Sequence, residues 1–98
     1  MVFFAVRLER GGPLDWSRDL RQQDGWHEHA RFMDAWVEDG FLVLGGPIGG
    51  EREVLHAISA PSEDAVRERL GQDNWHQNGM LMIKSIELWT ILLDGRRT

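Results

Sequence analysis

The chain contains no cysteine, and it also lacks long apolar segments and clusters of basic residues. Without cysteine it can form neither a disulfide framework nor a thiolate metal site. Its apolar runs fall short of the roughly 20 residues that a membrane-spanning helix requires, so we expect no membrane partner. The net charge is −5 and the arginines are scattered, so we expect no nucleic-acid partner either.

The apolar N-terminal segment, MVFFAVRLER, lacks the features of an export signal. No basic leader precedes its apolar run and no small-residue cleavage site follows it, so we expect no signal peptide. Together with the absence of cysteine, this predicts a cytoplasmic protein. The length of 98 residues is that of one domain, and we predict a single domain over residues 1–98.

The pattern of apolar residues predicts the element order β-α-β-β-α-β. Segments rich in β-branched and aromatic residues alternate with segments whose apolar residues recur every three or four positions. The first predicted helix is capped by Asp24 and ended by Gly40, and the second is capped by Ser62 and ended by Gly71. The predicted strands are residues 2–8, 41–44, 53–59 and 80–93, the last being long enough to contain a bulge, and segments 14–23 and 73–79 are predicted as loops or short helical turns.

This order is that of the ferredoxin-like split motif, an α+β fold with both helices on one face of a four-stranded antiparallel sheet. The uncovered face of such a sheet is normally wet, and its strands then alternate apolar and polar residues. Here VFFAV, FLVL and TILL are apolar at successive positions. We therefore predict that both faces are buried, and that two copies pack sheet against sheet as a homodimer with an apolar interface.

A histidine, His29, lies in the apolar stripe of the first predicted helix, with Trp26, Phe32 and Trp36. Titratable side chains are rare on an apolar helix face unless they have a partner or a function. A neutral imidazole can accept or donate a proton near neutral pH, which suits general acid–base catalysis. The alternative is a packed core histidine that bonds to a backbone carbonyl.

The order and spacing of several short motifs resemble those of the YCII-related domain family. The family's pattern is a helical histidine, a glycine that closes the helix, an apolar strand, a Gly-Pro pair, and later an aspartate before an aromatic residue. The resemblance covers residues 2–92. The matching motifs are HARFM at 29–33, EDG at 38–40, FLVLGGP at 41–47, DNW at 73–75, Gly79, and Trp89 near the end of the last strand.

This resemblance implies a dimeric α+β barrel with a pocket in each subunit. It implies that His29 and Asp73 act there as a catalytic pair, in lyase-type chemistry on small cyclic substrates, and such chemistry needs no cofactor. Two positions depart from the family. Trp26 stands where an arginine is common, which removes an anion-binding group, and Asn74 replaces a proline, from which we expect a looser turn around Asp73.

Four residues are candidates for contacts with a substrate. Gly46 and Pro47 lie where the second predicted strand ends and the hairpin turn begins, and we expect them to border the pocket. Trp75 and Trp89 are candidates for its wall, because an aromatic ring suits a flat cyclic or aromatic ligand. Asp73 has a second interpretation as the N-cap of a short turn, which does not exclude the first.

The remaining histidines are predicted to have ordinary structural roles. His27 is two residues from His29 and faces another direction on a helix, so we predict that it lies in solvent. His56 is predicted to be packed on the third strand. His76, three residues after Asp73, is predicted to lie on the surface of a turn, the alternative being a position in the same pocket. Scattered histidines without cysteine predict no metal site. Lys84, on the last strand, is expected either to extend to the sheet edge or to reach the pocket.

Two functions of different classes follow. The leading hypothesis is a small lyase or isomerase in which His29 moves a proton and Asp73 orients its ring. The alternative is a non-catalytic module that binds a small ligand, or serves as an accessory domain, with the same cleft. A haem- or quinone-dependent monooxygenase is a third hypothesis, supported by fold analogy alone.

Overall fold

An antiparallel sheet of four strands forms the centre of the computed structural model, which describes residues 1–96. Within that range it carries three α-helices and one turn of 3-10 helix at Leu20–Gln22. The element bounds are β1 Val2–Arg10, α1 Trp26–Glu38, β2 Leu42–Ile48, β3 Glu53–Ala60, α2 Glu63–Leu70, α3 Asn74–Gln77 and β4 Leu81–Trp89. The strands lie in the order β2-β3-β1-β4. This α+β topology is compatible with the predicted ferredoxin-like fold.

The hydrophobic core lies between the sheet and the helices. Alternate residues of β1, namely Phe4, Val6 and Leu8, are buried on the helix side, as the two-residue period of a strand requires. On β3, Ile58 pairs with Phe4 and Val54 pairs with Leu8, so their side chains extend the same layer. The helices complete the core with Trp36 from α1, Val66 and Leu70 from α2, and Trp75 from α3.

The helix ends agree with the predicted sequence signals in all but one case. Ser62 caps α2, since its Oγ accepts a 3.1 Å hydrogen bond from the backbone N–H of Ala65. Gly40, with φ of +79°, directly follows the last turn of α1. The predicted cap Asp24 is wrong, because Gly25 occupies that position with φ of +78°. No helix within residues 1–96 has the length and apolar composition that crossing a bilayer requires.

Two strands differ from their predicted bounds by more than two residues. The second strand was expected to end at Leu44, but β2 continues through Gly45, Gly46 and Pro47 to Ile48. Proline is compatible with β2 because this is an edge strand, whose outer side needs no N–H donor. The last strand ends at Trp89 rather than at residue 93. The predicted polar tail, residues 94–98, extends beyond the described residues.

The expected bulge in the last strand is present, and it changes which side chains face the core. Arg7 pairs with Ser85 but Leu8 pairs with Ile83, so Lys84 is the extra residue. An extra residue inverts the alternation of faces along the strand. Ile83 and Ile86 therefore both pack against the core. Trp89, which pairs with Phe3, falls on the opposite face.

The second face of the sheet, which we call the open face, is apolar in one part and charged in another. Leu44 and Trp89 are 59% and 41% exposed there. The other part carries Glu53, whose carboxylate lies 3.8 Å from Arg7 and 3.0 Å from Lys84. The prediction of an apolar second face therefore holds for only part of it.

Candidate functional site

His29 and Asp73 are in direct contact, although 44 residues separate them in sequence. His29 lies on the inner side of α1 and is 4% exposed, and Asp73 directly precedes α3 and is completely buried. Nδ1 of the imidazole lies 2.8 Å from both carboxylate oxygens. Because an ionised carboxylate can only accept, Nδ1 carries a proton and donates it to Asp73.

The alternative role predicted for Asp73, as a helix cap, is confined to its backbone. Asp73 occupies the N-cap position of α3, but its side chain makes no capping hydrogen bond. Its backbone carbonyl accepts the hydrogen bond from Gln77 N–H at 3.0 Å that closes the turn. Both carboxylate oxygens are therefore directed to His29 instead of to the orphan N–H groups of the helix.

Trp75 lies against one face of the His29 ring. The two rings are stacked, with centroids 4.1 Å apart and planes 12° apart. Trp75 is itself held by its indole N–H, which donates to the Asp24 carbonyl at 2.9 Å. Trp26 approaches the imidazole edge-on, with ring centroids 6.0 Å apart. The imidazole is thus fixed by one carboxylate and two indoles.

Asn74 anchors the turn between Asp73 and Trp75. Its side-chain amide donates a 3.0 Å hydrogen bond to the carbonyl of Gly25, the residue at the start of α1. A Cβ at Gly25 would lie 2.5 Å from that amide nitrogen, which explains glycine there in addition to its positive φ. The expectation that Asn74 loosens the turn is therefore wrong, because its side chain ties α3 to α1.

A cavity of about 300 Å³ opens beside the His29 ring, between the helices and β2 and β3. His29 Nε2 has no hydrogen-bond partner within residues 1–96, and it is not among the polar atoms sealed from solvent. The predicted contacts Gly46, Pro47 and Trp75 line this cavity. The predicted contact Trp89 does not, because the bulge in β4 places it on the open face, beside Leu44 and Ala57.

The cavity wall also contains His56 and His76, for which the sequence favoured structural roles. His56, on β3, is buried and lies opposite Gly45 of β2. A Cβ at Gly45 would lie 2.3 Å from His56 Nδ1, so glycine provides the space for this ring. His76, on α3, lines the cavity, so the favoured position on the surface of a turn is wrong and the alternative position in the pocket is the one observed. Its ring packs edge-on against Trp36, with centroids 6.5 Å apart.

Burial keeps both of these rings uncharged at neutral pH. Desolvation lowers the pKa of His56 from 6.5 to about 4, and repulsion by His76 and His29 acts in the same direction. Desolvation likewise lowers the pKa of His76 to about 4, opposed in part by the charge of Asp73. One nitrogen of each ring, His56 Nδ1 and His76 Nε2, is sealed and has no hydrogen-bond partner within residues 1–96.

The sequence contained a clear signal for His56 and a weaker one for His76, namely its distance of three residues from Asp73. His56 alternates with Val54 and Ile58, which places all three on the core side of β3. Its approach to a cavity depends on the register with β2, which the sequence pattern does not fix. The direction in which His76 points depends on how one short helical turn packs, and a four-residue element has too little periodicity to show it.

The other candidate residues lie away from the cavity. His27 is exposed on α1, as predicted. Lys84 makes its ion pair with Glu53 on the open face and does not line the cavity. Across residues 1–96, no group of three or more histidine, aspartate or glutamate side chains is arranged to hold a metal ion.

No family model matches the chain, and no curated protein matches it.

Proposed function

We propose that the protein is an enzyme of the lyase or isomerase type that uses His29 as a general acid–base catalyst and Asp73 as its orienting partner. The observation that carries the proposal is the 2.8 Å contact of His29 Nδ1 with both Asp73 oxygens, at the wall of a cavity. A histidine whose one nitrogen is fixed by a carboxylate, and whose other nitrogen is free, is arranged for proton transfer.

The proposed chemistry follows from the direction of that hydrogen bond. With the proton on Nδ1, the lone pair of His29 lies on Nε2, which accepts a proton from a carbon or hydroxyl of the substrate. The buried Asp73 carboxylate then stabilises the imidazolium that forms. Return of the proton to another atom gives an isomerase, and its transfer to a departing group gives a lyase. No residue in these steps requires a cofactor.

The substrate in this proposal is a small cyclic or aromatic compound. The volume of the cavity, about 300 Å³, is at the lower end of the range for small-molecule sites. Its wall combines aromatic Trp36 and Trp75 with apolar Met33 and Leu81, surfaces that suit a flat ring. Gly46 and Pro47 of β2 also line the cavity.

The proposal includes membership of the YCII-related family, a cytoplasmic location and pairing of two open faces in a homodimer. Support for pairing comes from the apolar part of the open face, where Leu44 and Trp89 are large and exposed. The Glu53 ion pairs would lie at the rim of such an interface, where charged groups are usual. Sedimentation equilibrium tests this part, and a monomer at micromolar concentration contradicts it.

The acid–base proposal is tested by hydrogen exchange, which can be measured before the natural substrate is identified. Cyclic ketones and hydroxylated aromatic compounds are first screened for binding by thermal shift. Bound compounds are then incubated with the protein in D2O, and NMR follows deuterium incorporation or product formation. We expect His29→Asn to abolish the exchange and His27→Asn, on the same helix but exposed, to leave it unchanged. Exchange that survives within a few-fold in His29→Asn contradicts the proposal.

The alternative is a module that binds a small ligand without turnover. It is favoured by the depth of the pair, since Asp73 is completely buried and His29 nearly so, as in a contact that only ties α3 to α1. The same experiment separates the two functions. Compounds that bind but undergo no exchange in the unmodified protein support the alternative.

A further inference from the structure

Two imidazoles at the cavity have no part in the proposed proton transfer. His56 is 5% exposed and His76 is partly buried. His56 Nδ1 and His76 Nε2 have no hydrogen-bond partner within residues 1–96, although a polar group removed from water normally has one. Both line the same cavity as His29. Because both rings line the cavity, a molecule that enters it can bond to the nitrogen that is not sealed on each of them.

Each ring has one nitrogen available to such a molecule. An imidazole has two ring nitrogens, and on both residues only one of them is sealed: Nδ1 of His56 and Nε2 of His76. The sealed nitrogen of His56 lies against the backbone of Gly45, in the space a side chain would fill. The remaining nitrogens, His56 Nε2 and His76 Nδ1, are accessible.

We propose that His56 and His76 bind the ligand directly, and that this ligand is an uncharged ring compound bearing hydroxyl or carbonyl groups. The inference rests on the proposed function, because it takes the cavity beside His29 to be the substrate site. A neutral imidazole donates one hydrogen bond and accepts another, so it matches hydroxyl and carbonyl groups without adding charge.

The charges around the cavity favour an uncharged ligand over an anion. Arg10 is the one lysine or arginine that lines the cavity in the described part of the chain. Its Nη1 already donates to the Glu51 carbonyl at 2.9 Å. Asp34 lines the same cavity and carries the opposite charge. An anionic ligand would therefore meet a carboxylate and two neutral imidazoles, with a single guanidinium to balance it.

The size of the cavity limits the ligand to one ring with short substituents. A cavity of about 150 Å³ accepts benzene, and this one has about 300 Å³. The surplus volume leaves room for polar substituents that reach the two histidines. The apolar residues Val54 and Leu81 lie on the same wall and would contact the carbon skeleton.

The test compares three probes of similar size at pH 7: resorcinol, which is uncharged and carries two hydroxyls, benzoate, which is an anion, and toluene, which is apolar. Side-chain nitrogen NMR of the unmodified protein follows each titration. We expect resorcinol to bind most tightly and to shift the nitrogens of His56 and His76. Replacement by His56→Leu or His76→Leu should weaken resorcinol about five- to tenfold each, the usual effect of one lost hydrogen bond. Toluene should bind these variants as before, and the exposed control His27→Leu should change nothing.

Three results would overturn the inference: no shift of either imidazole at millimolar resorcinol, tighter binding of benzoate than of resorcinol, or leucine variants that bind resorcinol unchanged. If a leucine variant does not fold, the shifts in the unmodified protein decide. His29→Asn distinguishes this inference from the proposed function. Resorcinol binding that persists in His29→Asn supports the ligand-binding role of His56 and His76 even if the exchange experiment contradicts catalysis by His29.

Discussion

His29 differs from His56 and His76 in what surrounds its ring, although all three line the same cavity. His29 has a carboxylate on Nδ1 and an indole stacked on its face. Each of the other two rings has one sealed nitrogen without a hydrogen-bond partner within residues 1–96, and burial lowers the pKa of each ring to about 4. The same side chain thus has a carboxylate partner in one place and is kept neutral by burial in two others. The difference is set by neighbours from distant parts of the sequence, above all Asp73.

The largest expected effect comes from removing that carboxylate charge while keeping its shape. In Asp73→Asn, an amide N–H facing Nδ1 favours the imidazole tautomer with the proton on Nε2, so the lone pair no longer faces the cavity. We expect the rate of deuterium exchange to fall by about 10²–10⁴-fold. NMR in D2O measures this rate, with Asp64→Asn, at an exposed position of α2, as the control. A decrease in the exchange rate of less than about threefold would show that Asp73 does not prepare His29 for proton transfer.

Acid should destabilise the protein through the two unpaired rings. Their pKa is about 4 in the folded protein and 6.5 ordinarily, so the unfolded chain binds more protons between these values. Stability is therefore unaffected by these rings above pH 6.5 and falls as the pH is lowered towards 4. The loss approaches about 3 kcal/mol for each ring, less where water reaches it. Urea denaturation at pH 7 and pH 5 measures the difference.

The variant His56→Leu identifies the source of this acid effect. Without the imidazole, no proton is taken up at position 56 on unfolding, so the pH dependence between 6.5 and 4 should become visibly flatter. His27→Leu removes an exposed ring and should leave the slope as it was. Equal slopes in His56→Leu and the unmodified protein would show that His56 is not buried in its neutral form.

A smaller effect is expected where the backbone makes room for an unpaired ring. Gly45→Ala places a Cβ 2.3 Å from His56 Nδ1, and the ring must move. We expect a loss of about 1–3 kcal/mol of unfolding free energy. Gly46→Ala is the matched control, because a Cβ at Gly46 meets nothing within 4 Å. Equal stability of the two alanine variants would show that the His56 ring does not depend on Gly45.

The smallest effect is expected for a charged pair on the open face. Glu53→Gln removes the carboxylate that lies 3.0 Å from Lys84 and 3.8 Å from Arg7. Water screens such exposed pairs, so we expect a loss of less than about 1 kcal/mol, which high salt reduces further. Denaturation in low and high salt checks this. A loss above about 1 kcal/mol that high salt leaves unchanged would contradict this expectation.

Much of the fold could be predicted from local patterns in the sequence. Ser62 and Gly40 mark helix ends correctly because capping depends on a few neighbouring residues. The end of β2 could not be predicted, since Pro47 interrupts a strand in general but not at a sheet edge. Edge position is a property of the whole sheet.

The site was predictable to a lesser degree, for similar reasons. The place of His29 on an apolar helix face was visible in its spacing, whereas its contact with Asp73 followed only from the family resemblance. Trp89 was misplaced because the bulge at Lys84 inverts the alternation of β4, and a bulge arises from pairing with another strand. The cavity positions of His56 and His76 depend on packing that no local pattern encodes.

The stacking of Trp75 on His29 gives the protein its own optical reporter. The two ring centroids lie 4.1 Å apart, and Trp75 also lines the cavity. Emission from Trp75 should therefore change when a ligand enters beside His29, without any added dye. The change would be lost in Trp75→Phe and would persist in Trp16→Phe, whose indole does not line the cavity and lies under the Arg52 guanidinium.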